Sequence, residues 1–369
     1  MSYPKLVAMP NKADGFENKL RQSLAELSSQ SLLRELTSPV EGVISFCDND
    51  YLALRNDARI QAFVKQYNTG GGASRLVSGN HRLYDKLEAE LANMKRSEAA
   101  LVFSSGFAMN HSLIPAIASK GDLILADKLC HASLIDGIRA SDASFKRFAH
   151  NDMKSLKRLL EANRNHADQL FIVTESIFSM DGDKAPVAEL LALAEAYNCQ
   201  LIIDNAHGLG LLELPDSSRI IHLGTLSKAA GSLGGYVCGS KILIDYLVNH
   251  CRSLIYSTAL PPMVLAASLK ALKLMRSEPE RAKQAMDNAK QFCSEMDLQA
   301  PESPIVPYIV GESDKAVHIA KSLEAEGFHV VAIRPPTVPK GAARLRFSFS
   351  ARHKSQQVSA LVSALKAVL

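Results

Sequence analysis

Two short stretches carry residues whose types and spacing could do chemistry. Leu201-Ile202-Ile203 is apolar at every position, as a strand covered by helices on both faces would be, and Asp204 closes it. The Asp204 carboxylate therefore emerges at the carboxyl end of a central parallel strand, where ligands of such sheets bind. A charge there is costly unless something positive meets it. Gly224-Thr225-Leu226-Ser227-Lys228 sets a lone lysine just beyond the next apolar run, among residues small enough to let a planar ring approach. An acid at one strand tip and a lysine at the next is what pyridoxal 5'-phosphate requires. The lysine forms the Schiff base, and the acid keeps the pyridine nitrogen protonated so that the ring becomes an electron sink. Taken singly, Asp204 and Lys228 read equally well as a structural salt bridge; their combination, with His207 three residues after the acid, favours the cofactor.

A phosphate needs a cup. Ser104-Ser105-Gly106-Phe107 lies between a short strand and a helix, so backbone N–H groups at that helix start can hold a dianion, and Thr225 can add a hydroxyl. Without a ligand the same residues read as a serine N-cap and a turn glycine. His131, in Cys130-His131-Ala132-Ser133, could stack on a flat ring, although a lone histidine is more often structural. Other glycine-rich stretches lead nowhere. Gly70-Gly71-Gly72-Ala73-Ser74-Arg75 has no apolar strand before it and lacks the third glycine of a dinucleotide fingerprint. Ser227-Lys228 has the wrong order for a P-loop, and no G-x-S-x-G elbow occurs.

The elements that must position these groups follow from hydrophobic periodicity. Phe16, Leu20, Leu24 and Leu27 form a helical stripe, and a turn with Pro39 and Gly42 leads to a short strand Val43-Ile44-Ser45-Phe46. Leu83, Leu87, Leu91 and Met94 share one face of a second helix. Strands at 100–103, 123–126, 170–173, 201–204, 220–223 and 235–238 then alternate with helices at crossover spacing, which defines an α/β domain with a mostly parallel sheet. Pro261-Pro262 interrupts this rhythm. Beyond it a long helical stretch, a strand, a helix and the period-two run Arg344 to Phe349 read as a half-buried antiparallel strand in a smaller α+β domain. The expected division is an N-terminal helical segment (1–45), a large cofactor-binding domain (46–260) and a small C-terminal domain (261–369).

Composition narrows the class of protein. With 369 residues and 47% hydrophobic content, the chain can bury a large core without staples. Its formal charge of +4, with both signs interspersed, is too weak for a nucleic-acid footprint, and no run approaches the length of a membrane span. The six cysteines are scattered without CxxC spacing, which suits buried thiols in a reducing compartment better than a zinc ribbon or disulfides. Met1-Ser-Tyr-Pro-Lys lacks the apolar run of a secretory signal, so the cytoplasm is the expected location.

Five motifs occur in an order that resembles one family. Ser104-Ser105-Gly106-Phe107-Ala108-Met109-Asn110, His131-Ala132-Ser133, Phe178-Ser179-Met180-Asp181-Gly182-Asp183, Asp204-Asn205-Ala206-His207-Gly208 and Thr225-Leu226-Ser227-Lys228 are similar to the motifs of the α-oxoamine synthases. These are pyridoxal-phosphate enzymes of aspartate aminotransferase fold type I, and the similarity runs from about Asn49 to the final strand. The resemblance implies that Lys228 carries the cofactor and later removes the substrate Cα proton, while Asp204 pairs with the pyridinium. It further implies that His131 stacks on the ring, His207 and Ser179 hydrogen-bond near its hydroxyl, and Ser105, Gly106, Phe107 and Thr225 seat the phosphate. Ser257 and Thr258 resemble residues that reach the phosphate from a neighbouring subunit, which implies a homodimer. Arg346 matches the arginine that grips the amino-acid carboxylate, with Asn49 assisting. Ile255-Tyr256-Ser257-Thr258 and Ala332-Ile333-Arg334-Pro335-Pro336-Thr337-Val338-Pro339 look most like the branch that condenses L-alanine with a pimeloyl thioester, on coenzyme A or a carrier protein. Other branches use glycine with acetyl-CoA or serine with a long acyl-CoA. Two departures stand out: Asn205 where the family usually has an acid, and a short stretch from Gly210 to Arg219.

Overall fold

The computed structural model describes residues 15–36, 38 and 40–369; Pro39 and the Met1–Lys5 stretch lie outside them. Seven strands build the principal sheet: β2 (Ala99–Phe103), β3 (Leu123–Asp127), β4 (Ser144–Phe148), β5 (Leu170–Glu175), β6 (Gln200–Asp204), β7 (Ile220–Thr225) and β8 (Gly235–Gly239). Their order is β2-β8-β7-β6-β5-β3-β4. Only β8 runs against the rest, antiparallel to both β2 and β7. Strand β4 escapes the sequence reading because Ser144, Phe145, Lys146 and Arg147 are exposed at the sheet edge and show no apolar run.

Helices cover both faces of this sheet, which is why its central strands are apolar throughout. On one face Leu101, Phe103, Ile124, Val173 and Ile202 pack with Met109 and Leu113 of α4 (Gly106–Ile117) and Leu134 and Ile138 of α5 (Ala132–Ala140). The alternate residues Leu123, Leu125, Ile172, Leu201 and Ile203 pack with Leu156 and Leu160 of α6 (Met153–Asn163) and Leu190 of α7 (Val187–Ala196). Capping starts these helices where the strands end. Ser105 caps α4 and Asp152 caps α6, each side chain accepting a backbone N–H inside the first turn.

The contacts divide the chain into two compact units. One comprises Phe46–Val306 with Phe347–Ser363; the other comprises the described residues up to Ser45 with Pro307–Arg346 and Ala364–Leu369. The expected boundary at residue 261 is corrected accordingly. Helix α10 (Pro262–Ser277) buries Leu265, Ala266, Leu269, Leu272 and Met275 in one cluster with Tyr51, Leu83 and Leu87, so its apolar stripe belongs to the larger unit. In the smaller unit α1 (Gly15–Ser29) follows the stripe from Phe16 to Leu27, and β1 (Ile44–Ser45) pairs in parallel with β10 (Phe328–His329). Strand β11 (Val331–Ile333) pairs antiparallel with β12 (Ala343–Ser348). The antiparallel expectation for β12 holds, but the strand is buried at every position rather than on one face. Among the described residues no disulfide forms, and of the six cysteines all but Cys47 are buried. Among the described residues no helix is long and apolar enough to cross a membrane.

Candidate active site

The carboxyl ends of β5, β6 and β7 bring the sequence-predicted groups together. Asp204 ends β6 with 6% of its surface exposed. It accepts hydrogen bonds from the Ala206 backbone N–H at 2.9 Å and from Asn110 Nδ2 at 2.8 Å. Lys228 stands three residues beyond β7, its Nζ 2.7 Å from Nε2 of the buried His207. Nδ1 of His207 lies 2.7 Å from the Tyr51 hydroxyl, and that hydroxyl donates to Asn49 Oδ1 at 3.0 Å. Asn49, expected to assist with a substrate carboxylate, thus lies at the far end of a hydrogen-bond chain from Lys228.

His131 caps α5, so its position is fixed by the start of that helix. Its Nδ1 accepts from the Ser133 backbone N–H at 3.2 Å and lies 2.8 Å from Ser133 Oγ. Asn110 Nδ2 reaches the same oxygen at 3.0 Å, linking His131 to Asp204 through two buried side chains. Loss of water around the ring holds the imidazole below its ordinary value, so it is neutral at neutral pH. Glu175 ends β5 directly opposite Asp204 in the register. Burial first, and the neighbouring Asp204 charge second, push its carboxyl up to about 8; it also accepts the His131 backbone N–H. Two carboxyls side by side in a dry place cannot both ionise cheaply, and Glu175 is the one that keeps its proton.

The stretch expected to seat a phosphate lies at the start of α4. Ser105 Oγ accepts from the Ala108 N–H at 3.1 Å, leaving the N–H groups of the first turn of α4 facing outward from the helix start. A Cβ on Gly106 would touch the Thr225 side chain at 3.3 Å, and one on Gly235 would stand 2.6 Å from the Ser105 carbonyl oxygen. Only glycine lets β8 and β7 press this closely on the helix start. Thr225 Oγ1 is 2.8 Å from Ser227 Oγ and donates to the Gly234 carbonyl at 2.8 Å. Phe107 is 52% exposed beside this cup. Ser257 and Thr258 line a small recess with Arg75, Tyr84 and Ser104.

Ser179 sits in a tight turn closed by hydrogen bonds from the Phe178 N–H to Asp183 O (3.0 Å) and from the Gly182 N–H to Phe178 O (2.9 Å). His150 clamps that turn to the end of β3. Its Nδ1 is 3.0 Å from Asp127 Oδ1, its Nε2 is 2.7 Å from Asp183 Oδ2, and its ring meets Phe178 edge-on at 4.3 Å. Burial alone would lower its affinity for a proton, but the two carboxylates outweigh it and raise the imidazole to about 10. Asn205, the departure noted in the sequence, accepts from Ser176 Oγ at 2.5 Å. A Cβ on Gly208 would fall 1.9 Å from the same amide oxygen, so this turn is built around the asparagine. Arg346 is buried in β12, within the smaller unit.

The sequence reading missed Tyr51, Asn110, Ser133 and Glu175 as members of the site. Asn110 and Ser133 stood inside quoted motifs without a role. Glu175 carried a readable signal, since it ends an apolar strand as Asp204 does. Tyr51 carried none.

A mostly parallel sheet with a buried acid ending one strand and a lysine beyond the next defines a class: the chain belongs to the aminotransferase class I and II family, whose model matches residues 41–365. Within it the chain is 45% identical over 371 residues to the 8-amino-7-oxononanoate synthase of Methylorubrum populi, covering 96% of each sequence. It is also similar to the solved 8-amino-7-oxononanoate synthase of Francisella tularensis, with 29% identity and a TM-score of 0.73 over 89% of this chain and 98% of that one. A serine palmitoyltransferase from S. paucimobilis, 23% identical, shares the fold with a TM-score of 0.89 over 96% of this chain and 98% of that one. The family, the fold class and the branch expected from the motifs are borne out.

Proposed function

We propose that the chain catalyses the decarboxylating condensation of L-alanine with a pimeloyl thioester, on coenzyme A or a carrier protein. The products are 8-amino-7-oxononanoate, the free thiol and carbon dioxide, a step of biotin biosynthesis. The observation that carries this reading is the Lys228, His207 and Asp204 group at the carboxyl ends of two neighbouring parallel strands, in a chain with 45% identity to a synthase of that name.

The residues present fit pyridoxal phosphate. A buried carboxylate, a lysine held by hydrogen bond, a helix start walled by glycines and a histidine at a second helix start supply every group it needs. The S. paucimobilis structure was solved with that cofactor and myriocin bound. Once bound, the cofactor supplies a ring that accepts the electron pair left at the amino acid's Cα. Lys228 would hold it through Nζ, and the same amine, when free, would take the Cα proton of L-alanine. Asp204, steadied by Asn110 and the Ala206 N–H, holds the pyridine nitrogen protonated. His131, His207 and Ser179 would hold the ring, and Ser105, Gly106, Phe107 and Thr225 would hold the phosphate. Arg346 and Asn49 bind the alanine carboxylate, which fixes the Cα bond that breaks.

Ser257 and Thr258 complete the phosphate site of a second copy, making the enzyme a homodimer. Support comes from exposed apolar side chains next to site residues in sequence: Phe107, Leu129 and Tyr256 are 52%, 39% and 72% exposed. The test is direct. The protein loaded with pyridoxal phosphate is reduced with borohydride, digested and mapped by mass spectrometry. A pyridoxyl group on Lys228, absent from Lys228→Ala together with turnover, is the expected result; a label elsewhere, or full turnover by the variant, refutes the assignment.

A further inference from the structure

The four side chains from Asn49 to Lys228 form a chain of hydrogen bonds whose direction can be worked out. The Tyr51 hydroxyl has one proton, and it donates that proton to Asn49 Oδ1 at 3.0 Å. Its contact with His207 Nδ1 at 2.7 Å must then be filled by a proton from the ring. At the other end, Lys228 Nζ lies 2.7 Å from Nε2, and an ammonium can only donate. A neutral imidazole has one donor and one acceptor, so the two ends agree on a single tautomer. We propose that Tyr51 is a positioning residue that keeps the His207 proton on Nδ1, so that Nε2 offers its lone pair to Lys228. Tyr51 is wholly buried and His207 nearly so, and water therefore does not compete for either nitrogen.

The arrangement has a chemical consequence. Before Nζ can add to the carbonyl carbon of an aldehyde it must lose one proton, and Nε2 is the base in contact with it. The proton passes from Nζ to Nε2, and the freed electron pair forms the new C–N bond. The two protons left on Nζ pass to the aldehyde oxygen, which leaves as water as a second nitrogen electron pair completes the C=N double bond. The imidazolium formed on the way continues to donate from Nδ1 to Tyr51. That the aldehyde belongs to pyridoxal phosphate rests on the function proposed above; the position of the His207 proton does not.

The test uses the full chain without and with cofactor. In the cofactor-free protein with ¹⁵N-labelled histidine, NMR of the wild type should show His207 protonated on Nδ1 and bare on Nε2, the signal being assigned by its loss in His207→Asn. Tyr51→Phe removes one oxygen and keeps the ring that fills the core. In a Lys228→Ala background, where no ammonium holds Nε2 as an acceptor, it should move the proton wholly or partly to Nε2. With Lys228 in place it should slow the appearance of the visible band on adding pyridoxal phosphate by about tenfold, less than the roughly hundredfold or more expected for losing the base itself. Asn49→Ala in the same Lys228→Ala background, which frees the Tyr51 proton, should shift the tautomer in the same direction and serves if the phenylalanine variant does not fold. A wild type protonated on Nε2, or double variants that keep the ¹⁵N pattern of Lys228→Ala, would overturn the proposal. A wild type with the expected tautomer that takes up no pyridoxal phosphate would refute the functional reading and leave the tautomer standing.

Discussion

Replacing His150 by glutamine removes a positive charge that two carboxylates share, and the structure sets the size of the effect. Moving an imidazole from 6.5 to about 10 corresponds to about 5 kcal/mol of preference for the charged ring in the folded state. The side chain is 24% exposed, and Asn151 Nδ2 still donates to Asp183 Oδ2 at 2.8 Å, so about 3 kcal/mol is the reasonable loss. The sign follows from the direction of the shift. A raised value in the folded state stabilises fully below about pH 6.5 and is lost as pH rises through about 10. In thermal melts of the cofactor-free protein, His150→Gln should melt about 5 °C below the wild type at pH 6, and the gap should shrink steadily toward pH 10. The turn carrying Ser179 loosens with it, so pyridoxal phosphate should also bind more weakly at pH 6. A variant that melts with the wild type at pH 6, or one whose deficit is equal at pH 6 and pH 9.5, would refute the clamp.

Glu175→Gln keeps the shape of the protonated acid and removes its titration. Because the folded value is raised to about 8, wild-type stability declines as pH rises from about 4.5 to about 8, and the glutamine variant should gain on it across that window. The advantage should reach up to about 3 kcal/mol at pH 7 by denaturant melts, and a variant less stable than the wild type there would show Glu175 to be ionised. Gly235→Ala would set a Cβ 2.6 Å from the Ser105 carbonyl and 2.7 Å from Gly106 Cα. Displacing the start of α4 should cost about 1–3 kcal/mol and weaken pyridoxal phosphate binding about tenfold by absorbance titration, whereas unchanged binding would place the phosphate elsewhere.

The parts of the site legible in the sequence are those that local pattern marks. Asp204 and Lys228 stand out because each follows an apolar strand and strand ends are where such sheets bind ligands. Ser105 and Gly106 stand out because a cap and a glycine between strand and helix have a physical meaning wherever they occur. Asn110, Tyr51 and Glu175 work through partners 94, 156 and 29 positions away, so their roles appear only once strand order and register are known. The same limit explains the domain boundary. Pro261-Pro262 does end the strand-helix alternation, but which unit α10 joins depends on the face it buries, and that face meets Tyr51 and Leu87. Strand β4 was invisible because an exposed edge strand needs no apolar run.

The central claim is tested most directly by thiol release. Purified protein saturated with pyridoxal phosphate is given pimeloyl-CoA or the pimeloyl carrier-protein thioester with L-alanine, glycine or L-serine. Free thiol is read with a chromogenic reagent, and the product by mass spectrometry. Release that depends on L-alanine and yields 8-amino-7-oxononanoate is the predicted result. Release only with another amino acid, or none with either donor from a protein carrying the cofactor on Lys228, would contradict it.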